Sequence, residues 1–262
     1  MRRLGELTSE ELRALIEAEP VVVLLPVGSV EPHGPHLPLE TDTTISEHCA
    51  ARAGERLERD GVTTLLAPSV PYGVTDYAQG FAGAIGVAAE ALTAMLRAIA
   101  MRLLETGVRH VCLINNHLEP AHDAAVRAAI DGLPAGAASV ACPLTRRWGR
   151  TLSDEFKRGD CHAGRYETSL VLAAGKSVRD TSTLPTLSIS LSDAIRSGKA
   201  TFREIGMDRA YTGAPSEATR AEGEALYERL AEMVVTEVRE GLETLGQSRA
   251  GTSTGPAHRK AR

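Results

Sequence analysis

The stretch Val21-Val22-Val23-Leu24-Leu25 is a continuous run of β-branched and apolar residues. Such a run is typical of a strand buried on both faces, as strands are in the parallel sheets of α/β proteins. The segment that follows, residues 26–42, contains four prolines and two glycines. This composition predicts a loop with restricted backbone angles at the end of the strand.

Strand-like and helix-like segments alternate along the rest of the chain. Helices are predicted over 8–19, 45–59, 88–105, 121–131, 167–174 and 214–245, and strands over 21–25, 63–67, 111–114, 138–142 and 186–191. This alternation predicts an α/β protein with three α/β/α layers and a largely parallel sheet. No break in composition divides the chain, so we expect one domain over 1–246 and a disordered basic tail over 247–262.

Composition narrows the class of protein. Of 262 residues, 43% are hydrophobic and 24% are charged, as in ordinary globular proteins, and no apolar run reaches the roughly 18–20 residues of a membrane span. The N-terminus lacks the apolar core of a signal peptide, so a cytoplasmic enzyme is expected. A net charge of −5 and an aromatic content of 3% argue against a nucleic-acid-binding surface.

The four cysteines form no C-x-x-C pair and are predicted to be reduced thiols. Cys112 lies in a predicted strand, where we expect a small core residue. Cys161 adjoins His162, which leaves a nucleophilic cysteine open as a minor alternative.

Two predicted strands are each followed by a histidine and a glutamate two residues apart, in mirrored order. Glu31-Pro32-His33 follows 21–25, and His117-Leu118-Glu119 follows 111–114. With 8 His and 24 Glu in the chain, chance alone gives roughly 1.5 such pairs, so the count by itself means little. Their placement carries more weight, because open α/β sheets bind ligands at the carboxyl ends of their strands.

Imidazole and carboxylate groups together are ligands for zinc, manganese or iron(II). The candidate ligands are Glu31, His33, Asp42, His117 and Glu119. Around two divalent ions, three carboxylates leave a net charge of +1, which a bridging hydroxide would neutralise. Because metal binding lowers the pKa of water from 15.7 towards about 7, these residues predict a two-metal hydrolytic site. The same charge balance would also suit metal storage.

The remaining histidines have less regular surroundings. His36 lies between two prolines, and we expect it to brace the loop through a backbone hydrogen bond. His122 is expected to be exposed or to cap a helix. His162 precedes Gly164 in a polar loop, with Glu167 close enough in sequence to orient it, and is therefore a candidate catalytic residue.

The stretch from Leu25 to Pro38, LPVGSVEPHGPHLP, closely resembles the signature of the creatininase family of metal-dependent amidohydrolases. Asp42 falls where that family has a metal-bridging aspartate. A second family motif is similar to His162-Ala163-Gly164-Arg165-Tyr166-Glu167-Thr168-Ser169. Weaker similarities occur at 71–73, 80–81 and 213–223, and the likeness extends over about 6–245.

This resemblance implies a layered α/β/α fold, two divalent metal ions per chain and often a homohexamer. It implies one metal on Glu31 and His117, a second on His33 and Glu119, and Asp42 between them. Zinc is the expected metal, with manganese or iron(II) as alternatives. His162 would pass a proton to the leaving nitrogen, and Glu167 would orient it or add a ligand.

Several positions depart from the family pattern. Trp148 is the only tryptophan, whereas the creatininase branch uses tryptophans around creatinine, and the usual Gly-Phe-Pro-Gly-Thr run is Gly80-Phe81-Ala82-Gly83-Ala84. Pro32 replaces a common glutamine. We therefore expect an amidohydrolase for another small cyclic amide or formamide-like substrate. A peptide-cleaving hydrolase of the mycofactocin type and a non-catalytic metal-binding relative remain as alternatives. A dinucleotide-binding oxidoreductase is disfavoured, since no glycine fingerprint follows the first strand.

Overall fold

Five parallel strands form one sheet in the order β1-β3-β2-β4-β5. A computed structural model describes the backbone of residues 1–252 and the side chains of residues 1–247. The strands are β1 (Arg2–Arg3), β2 (Val21–Val27), β3 (Thr63–Leu66), β4 (His110–Asn115) and β5 (Ala138–Ala141).

Ten α-helices lie in the described part of the chain. They are α1 (Ser9–Ala18), α2 (Thr41–Arg59), α3 (Ala89–Glu105), α4 (Pro120–Ile130), α5 (Arg146–Gly149), α6 (Asp154–Arg158), α7 (Arg165–Ala173), α8 (Leu191–Arg196), α9 (Phe202–Ile205) and α10 (Arg220–Thr252). None of these helices within 1–252 combines the length and hydropathy that a membrane crossing needs.

Alternate side chains of each strand enter two different cores. Val22 and Leu24 pack with residues of α2, α7 and α10, whereas Val21, Val23 and Leu25 pack with residues of α1, α3 and α4 on the other face. Every residue of β2 is buried because helices cover both faces of the sheet. The predicted three-layer α/β/α fold with a parallel sheet is confirmed. A capping box of Thr8 and Glu11 begins α1.

The order of the strands creates a crevice between β2 and β4. These two strands are neighbours, with Val27 paired to Asn115 at their carboxyl ends. The chain leaves β2 towards β3 on one side and leaves β4 towards β5 on the other. Connections that diverge in this way leave a gap at the strand ends, where α/β proteins bind their ligands. Both histidine–glutamate pairs lie in the segments that begin there.

The last third of the chain departs from the expected pattern. The strand predicted over 186–191 is wrong, because this segment makes one antiparallel bridge, from Leu187 to Gly213, and then enters α8. The Ser190 hydroxyl accepts a hydrogen bond from the backbone N–H of Asp193 and so favours the helix. The final helix α10 runs to Thr252, past the start of the tail predicted over 247–262, and residues 253–262 lie outside the described residues.

Helix α10 packs closely on α7 at Gly223. A Cβ placed on this buried glycine would overlap the carbonyl oxygen of Ser169. We expect Gly223→Ala to lower the free energy of unfolding by about 1–3 kcal/mol, because the helices would have to separate. Gly246→Ala is the matched control, since a Cβ on this exposed glycine of the same helix would meet nothing within 4 Å.

Chemical denaturation of both variants tests this packing. Gly246→Ala should be neutral or more stable by up to about 1 kcal/mol, because alanine favours a helix over glycine. Equal stability of the two variants would contradict the close approach of α10 to α7.

Candidate metal centre

Helix α2 ties the ends of β2 and β4 together. The hydroxyl of Ser46 donates a hydrogen bond to the carbonyl of Val27 (2.8 Å) and accepts one from the backbone N–H of Asn116 (3.1 Å). Asp42 lies one turn earlier, in the first turn of α2, where the helix dipole favours a negative charge. The carboxylate is therefore held at the crevice between the two strand ends.

Six buried side chains meet in this crevice. Three overlapping groups place possible ligand atoms within 4.8 Å of one another: Glu31 with Asp42 and His117, His33 with Asp42 and Glu167, and Glu31 with His33 and His162. The first two groups share Asp42, which reaches them with different oxygens. His117 Nδ1 is 3.0 Å from Asp42 Oδ2, and His33 Nε2 is 3.2 Å from Asp42 Oδ1. This arrangement can hold two cations on either side of one carboxylate.

Hydrogen bonds to the backbone fix which nitrogen of each histidine faces the carboxylates. Nδ1 of His33 is 3.1 Å from the carbonyl of Glu31, and Nε2 of His117 is 2.6 Å from the carbonyl of Val74. Because a carbonyl only accepts, these nitrogens carry the hydrogen and the opposite nitrogens present lone pairs to the cluster in the neutral rings. Thr75 donates its hydroxyl to Glu31 and orients that carboxylate too.

Crowding of charge shifts the pKa values of the cluster. Burial alone would raise the pKa of Glu31, but His117 outweighs it and lowers the pKa to about 2. Burial alone would lower the pKa of His33, but Asp42, followed by Glu167 and Glu31, raises it to about 10. Burial raises the pKa of Glu167 to about 8 despite the opposing charge of His33. The carboxylates thus require nearby positive charge to remain ionised.

The residues fit divalent metal ions. His33 Nε2 and Asp42 Oδ2 are buried and form no hydrogen bond within the described residues. Unpaired buried polar atoms are costly in a folded protein unless an ion or another partner satisfies them. Two imidazoles and three carboxylates are also a donor set suited to zinc, manganese or iron(II).

Glu119 lies outside all three groups. Its carboxylate accepts hydrogen bonds from the backbone N–H groups of Asp76 (3.0 Å) and Tyr77 (3.3 Å). Burial raises its pKa to about 7, although His117 opposes the shift. In the described residues Glu167, not Glu119, forms a group with His33 and Asp42. The expectation that Glu119 binds the second metal with His33 stays a prediction.

His162 lies over the cluster. Its ring stacks between those of His33 and Phe202, with centroids 4.6 Å and 4.5 Å away. Its Nε2 is 3.1 Å from the carbonyl of Pro32, and its Nδ1 is 3.9 Å from Glu31 Oε1. Burial, reinforced by His33, lowers the pKa of His162 to about 4. The neutral ring therefore donates Nε2–H to Pro32 and leaves Nδ1 unprotonated above the cluster.

The expectation that His122 is exposed or caps a helix is wrong. The residue is fully buried, and its Nδ1 accepts a hydrogen bond from the backbone N–H of Val74 (3.2 Å). Its ring contacts the ring of His117 edge to face, with centroids 4.6 Å apart. Gly73 permits this burial, because a Cβ there would overlap the His122 ring. His122 supports a candidate ligand through packing.

Other predicted residues have structural roles. His36 Nε2 is 3.0 Å from the hydroxyl of Thr168, so its ring braces the first loop against α7. Burial raises the pKa of Cys161 well above its usual value, which argues against a reactive thiolate.

Glu155 is a further structural residue that the sequence did not reveal. Its buried carboxylate accepts the backbone N–H groups of Arg165 (3.0 Å), Tyr166 (2.6 Å) and Ala214 (2.8 Å), which fixes the start of α7 below His162.

A cavity of about 470 Å³ opens above the cluster. Its polar end is lined by Glu31, Asp42, His117, Glu119, His162 and Glu167. Its other walls are formed mainly by Tyr77, Leu118, Pro120, Leu191, Ile195 and Phe202. A pocket with convergent charged groups at one end and apolar walls elsewhere is typical of an enzyme active site.

Comparison with known proteins supports this interpretation. The family profile described as "Creatininase: Creatinine amidohydrolase" matches residues 5–238. The chain is 32% identical over 250 residues to the mycofactocin precursor peptide peptidase of Mycobacterium tuberculosis, covering 89% of this chain and 90% of that protein. It is 30% identical over 120 residues to the creatinine amidohydrolase of Pseudomonas putida, covering 44% of each.

Solved structures show the same fold. A structure titled "Creatininase Mn" aligns with a TM-score of 0.68 at 23% identity, covering 91% of this chain and 98% of that chain. A structure titled "Crystal structure of creatinine amidohydrolase (creatininase)" aligns with a TM-score of 0.65 at 22% identity, covering 97% and 98%. The chain belongs to the creatininase family of metal-dependent amidohydrolases.

The placement of Glu119 and Glu167 predicts different outcomes for two matched substitutions. Glu167→Gln should reduce bound metal by about one ion per chain, because Glu167 lies with His33 and Asp42. Glu119→Gln should leave the metal content unchanged. Elemental analysis of the purified variants checks both, and loss of metal from Glu119→Gln alone would restore the ligand set expected from the sequence.

Proposed function

We propose that this chain hydrolyses a carbon–nitrogen amide bond with two divalent metal ions held on either side of Asp42. The observation that carries the proposal is the pair of ligand groups that share this one buried carboxylate. Glu31 and His117 complete the first group, and His33 and Glu167 complete the second. Two ions at such positions would supply Lewis-acid activation of water and of the substrate carbonyl.

His162 is the proposed proton carrier. Its Nδ1 lies above the cluster, while its Nε2 is held by the carbonyl of Pro32. It can accept the proton released when water attacks and deliver it to the departing nitrogen. The rings of His33 and Phe202 restrict its movement, so the nitrogen stays at the cavity.

Glu119 is the proposed second proton-handling group. Its carboxylate lines the cavity and is held in place by the amides of Asp76 and Tyr77, outside the metal ligand groups. A carboxylate fixed at this position can orient the attacking water or accept its proton. In this role Glu119, two residues after the candidate ligand His117, would act at the site without binding a metal ion.

Two substrate classes are proposed for this site, and the first is a small cyclic amide or formamide-like compound. A peptide is the second candidate, supported by the 32% identity to the mycofactocin precursor peptide peptidase over 89% of this chain. The apolar walls of the cavity suit either substrate, since both would bury carbon next to the amide. We also propose zinc as the metal, with manganese or iron(II) as alternatives, and a cytoplasmic homohexamer.

Metal analysis combined with a hydrolysis screen tests the proposed function. We expect about two metal ions per chain and turnover of at least one compound among cyclic ureides, formamides and short peptides. Asp42→Ala should abolish both metal binding and turnover, because both ligand groups lose their shared member. A purified protein that contains no metal would contradict the proposal. So would a protein that carries two metal ions per chain and hydrolyses none of these compounds.

Substitution of His162 separates proton transfer from metal binding. His162→Ala should lower kcat by about 10²–10⁴-fold, the usual contribution of a general acid–base group, with the metal content retained. Added imidazole should restore part of the rate by filling the vacated space beside Phe202. Loss of metal in this variant would instead identify His162 as a ligand in the group with Glu31 and His33.

A further inference from the structure

A second, larger groove continues outward from the metal centre. It spans about 1210 Å³ of space that is partly open to solvent, and the space above the metal ligands, measured in the same way, spans about 470 Å³. Leu118, Pro120, Cys161, Leu191 and Ile195 line both spaces, so the two are continuous. A substrate that reaches the metal centre can therefore extend into the groove.

Three short helices supply positive charge to this groove. Arg146 lies in α5 and Arg150 directly follows it, Lys157 lies in α6 and Arg196 in α8. All four side chains are exposed, and the residues that line the groove include no aspartate or glutamate. The metal end of the continuous space is rich in carboxylates, whereas the charged residues that line its outer end are all cationic.

Two of the four cations lack a charged partner. Lys157 pairs with Asp154 at 3.1 Å, and Arg196 pairs with Asp193. Within the part of the chain whose side chains are described, the guanidinium groups of Arg146 and Arg150 form no ion pair or hydrogen bond.

In and directly after α5, the lack of an ion pair is confined to the arginines that face the groove, because Arg147, which follows Arg146 in the sequence, is paired. Arg147 turns away from the groove and binds Glu240 of α10 at 2.7 Å. Arg146 and Arg150 are four residues apart, a spacing at which like charges repel each other on a helix. An anion between them would relieve that repulsion.

We infer that the groove binds a carboxylate of a peptide whose amide bond lies at the metal centre. This inference rests on the proposed hydrolysis and names its substrate class. Guanidinium groups recognise carboxylates through paired hydrogen bonds, which suits Arg146 and Arg150. Leu118, Pro143 and Phe156 form apolar surface beside the cations, as the side chains of a peptide require.

A peptide fits the two spaces better than a compact cyclic amide does. A small ring bound at the ligands would fill the inner cavity and leave the cationic groove unused. A substrate peptide that bridges both spaces would place its neutral amide groups at the metal centre. Its negative charge would then lie beyond Leu191 and Ile195, away from the carboxylate ligands. Charge complementarity then fixes which end of the substrate points outward.

Binding of short peptides to the metal-loaded protein tests the inference. The probes carry an uncharged BODIPY dye and are a pentapeptide of alanine with a free C-terminal carboxylate, its C-terminal carboxamide, and a carboxamide with glutamate as the fourth residue. Fluorescence anisotropy gives the dissociation constants, and mass spectrometry shows whether each probe stays intact. We expect the carboxylate probe to bind about tenfold more tightly than the neutral carboxamide. The glutamate probe distinguishes recognition of a side chain from recognition of the C-terminus.

Charge reversal locates the binding site. Arg146→Glu combined with Arg150→Glu should weaken binding of the acidic probes by about tenfold or more and leave the neutral probe unaffected. Arg13→Glu combined with Arg102→Glu is the control of equal charge, since these exposed arginines lie in α1 and α3. Equal weakening by both double variants, or no preference of the wild-type protein for acidic probes, would overturn the inference.

A hydrolysis assay separates this inference from the proposed function. We expect Arg146→Glu combined with Arg150→Glu to retain the wild-type kcat/KM for neutral peptide carboxamides. Its kcat/KM should fall only for peptides with a carboxylate. Turnover of small amides with no effect of the groove substitutions would leave the proposed function intact and reject the carboxylate site. Failure to hydrolyse any amide would reject the proposed function, while the anisotropy measurements would still report on the groove.

Discussion

Mutual repulsion of three buried carboxylates is the constraint on which the rest of this site depends. Glu31, Asp42 and Glu167 are each almost fully inaccessible to solvent. Charges buried this closely persist only when opposite charge and hydrogen bonds compensate for the lost water. His33 and His117 are one source of that compensation, and their pKa values are raised accordingly. Metal ions are a stronger source, and their binding would displace the protons from both rings.

The topology of the sheet explains why such costly charges collect at this place. Neighbouring strands β2 and β4 send their connections to opposite sides, so no crossover covers the gap at their carboxyl ends. The start of α2 fills the base of that gap, where Ser46 bonds to both strand ends and Asp42 benefits from the helix dipole. Hydrophobic packing on the two faces of the sheet stabilises the fold. The carboxylates and histidines of the site are positioned at the strand ends and do not contribute to that packing.

The sequence predicted the parts of the site that follow directly from strand position. The run from Val21 to Leu25 predicted a buried parallel strand, and Glu31 and His117 lie together because both follow central strands. The position of Glu119 could not be predicted in this way. Helix α4 begins at Pro120, and the Glu119 carboxylate accepts hydrogen bonds from two amides of the loop after β3, which is distant in sequence.

Contacts between residues distant in sequence explain the other differences. His122 is buried because the backbone at Gly73 approaches its ring, and nothing near His122 in the sequence signals that approach. Thr75 supports Glu31 from the same loop, which has no secondary structure from which its path could be inferred. The strand predicted over 186–191 was wrong for a related reason, since alternating side chains there meet a single partner at Gly213 rather than a sheet edge.

Helix α10 has a consequence for how the protein is made. Its residues Leu226, Leu230 and Val234 cover the same face of the sheet as Val22 and Leu24. On this face α2 packs on β2, whereas α10 packs on β4 and β5. Strands β4 and β5 precede α10 by roughly 100 residues, so both leave the ribosome well before the helix that covers them. That face of β4 and β5 therefore stays exposed to water until α10 has been synthesised and packs on it. This core closes only after α10 has been made, and the nascent chain is more prone to aggregation before that point.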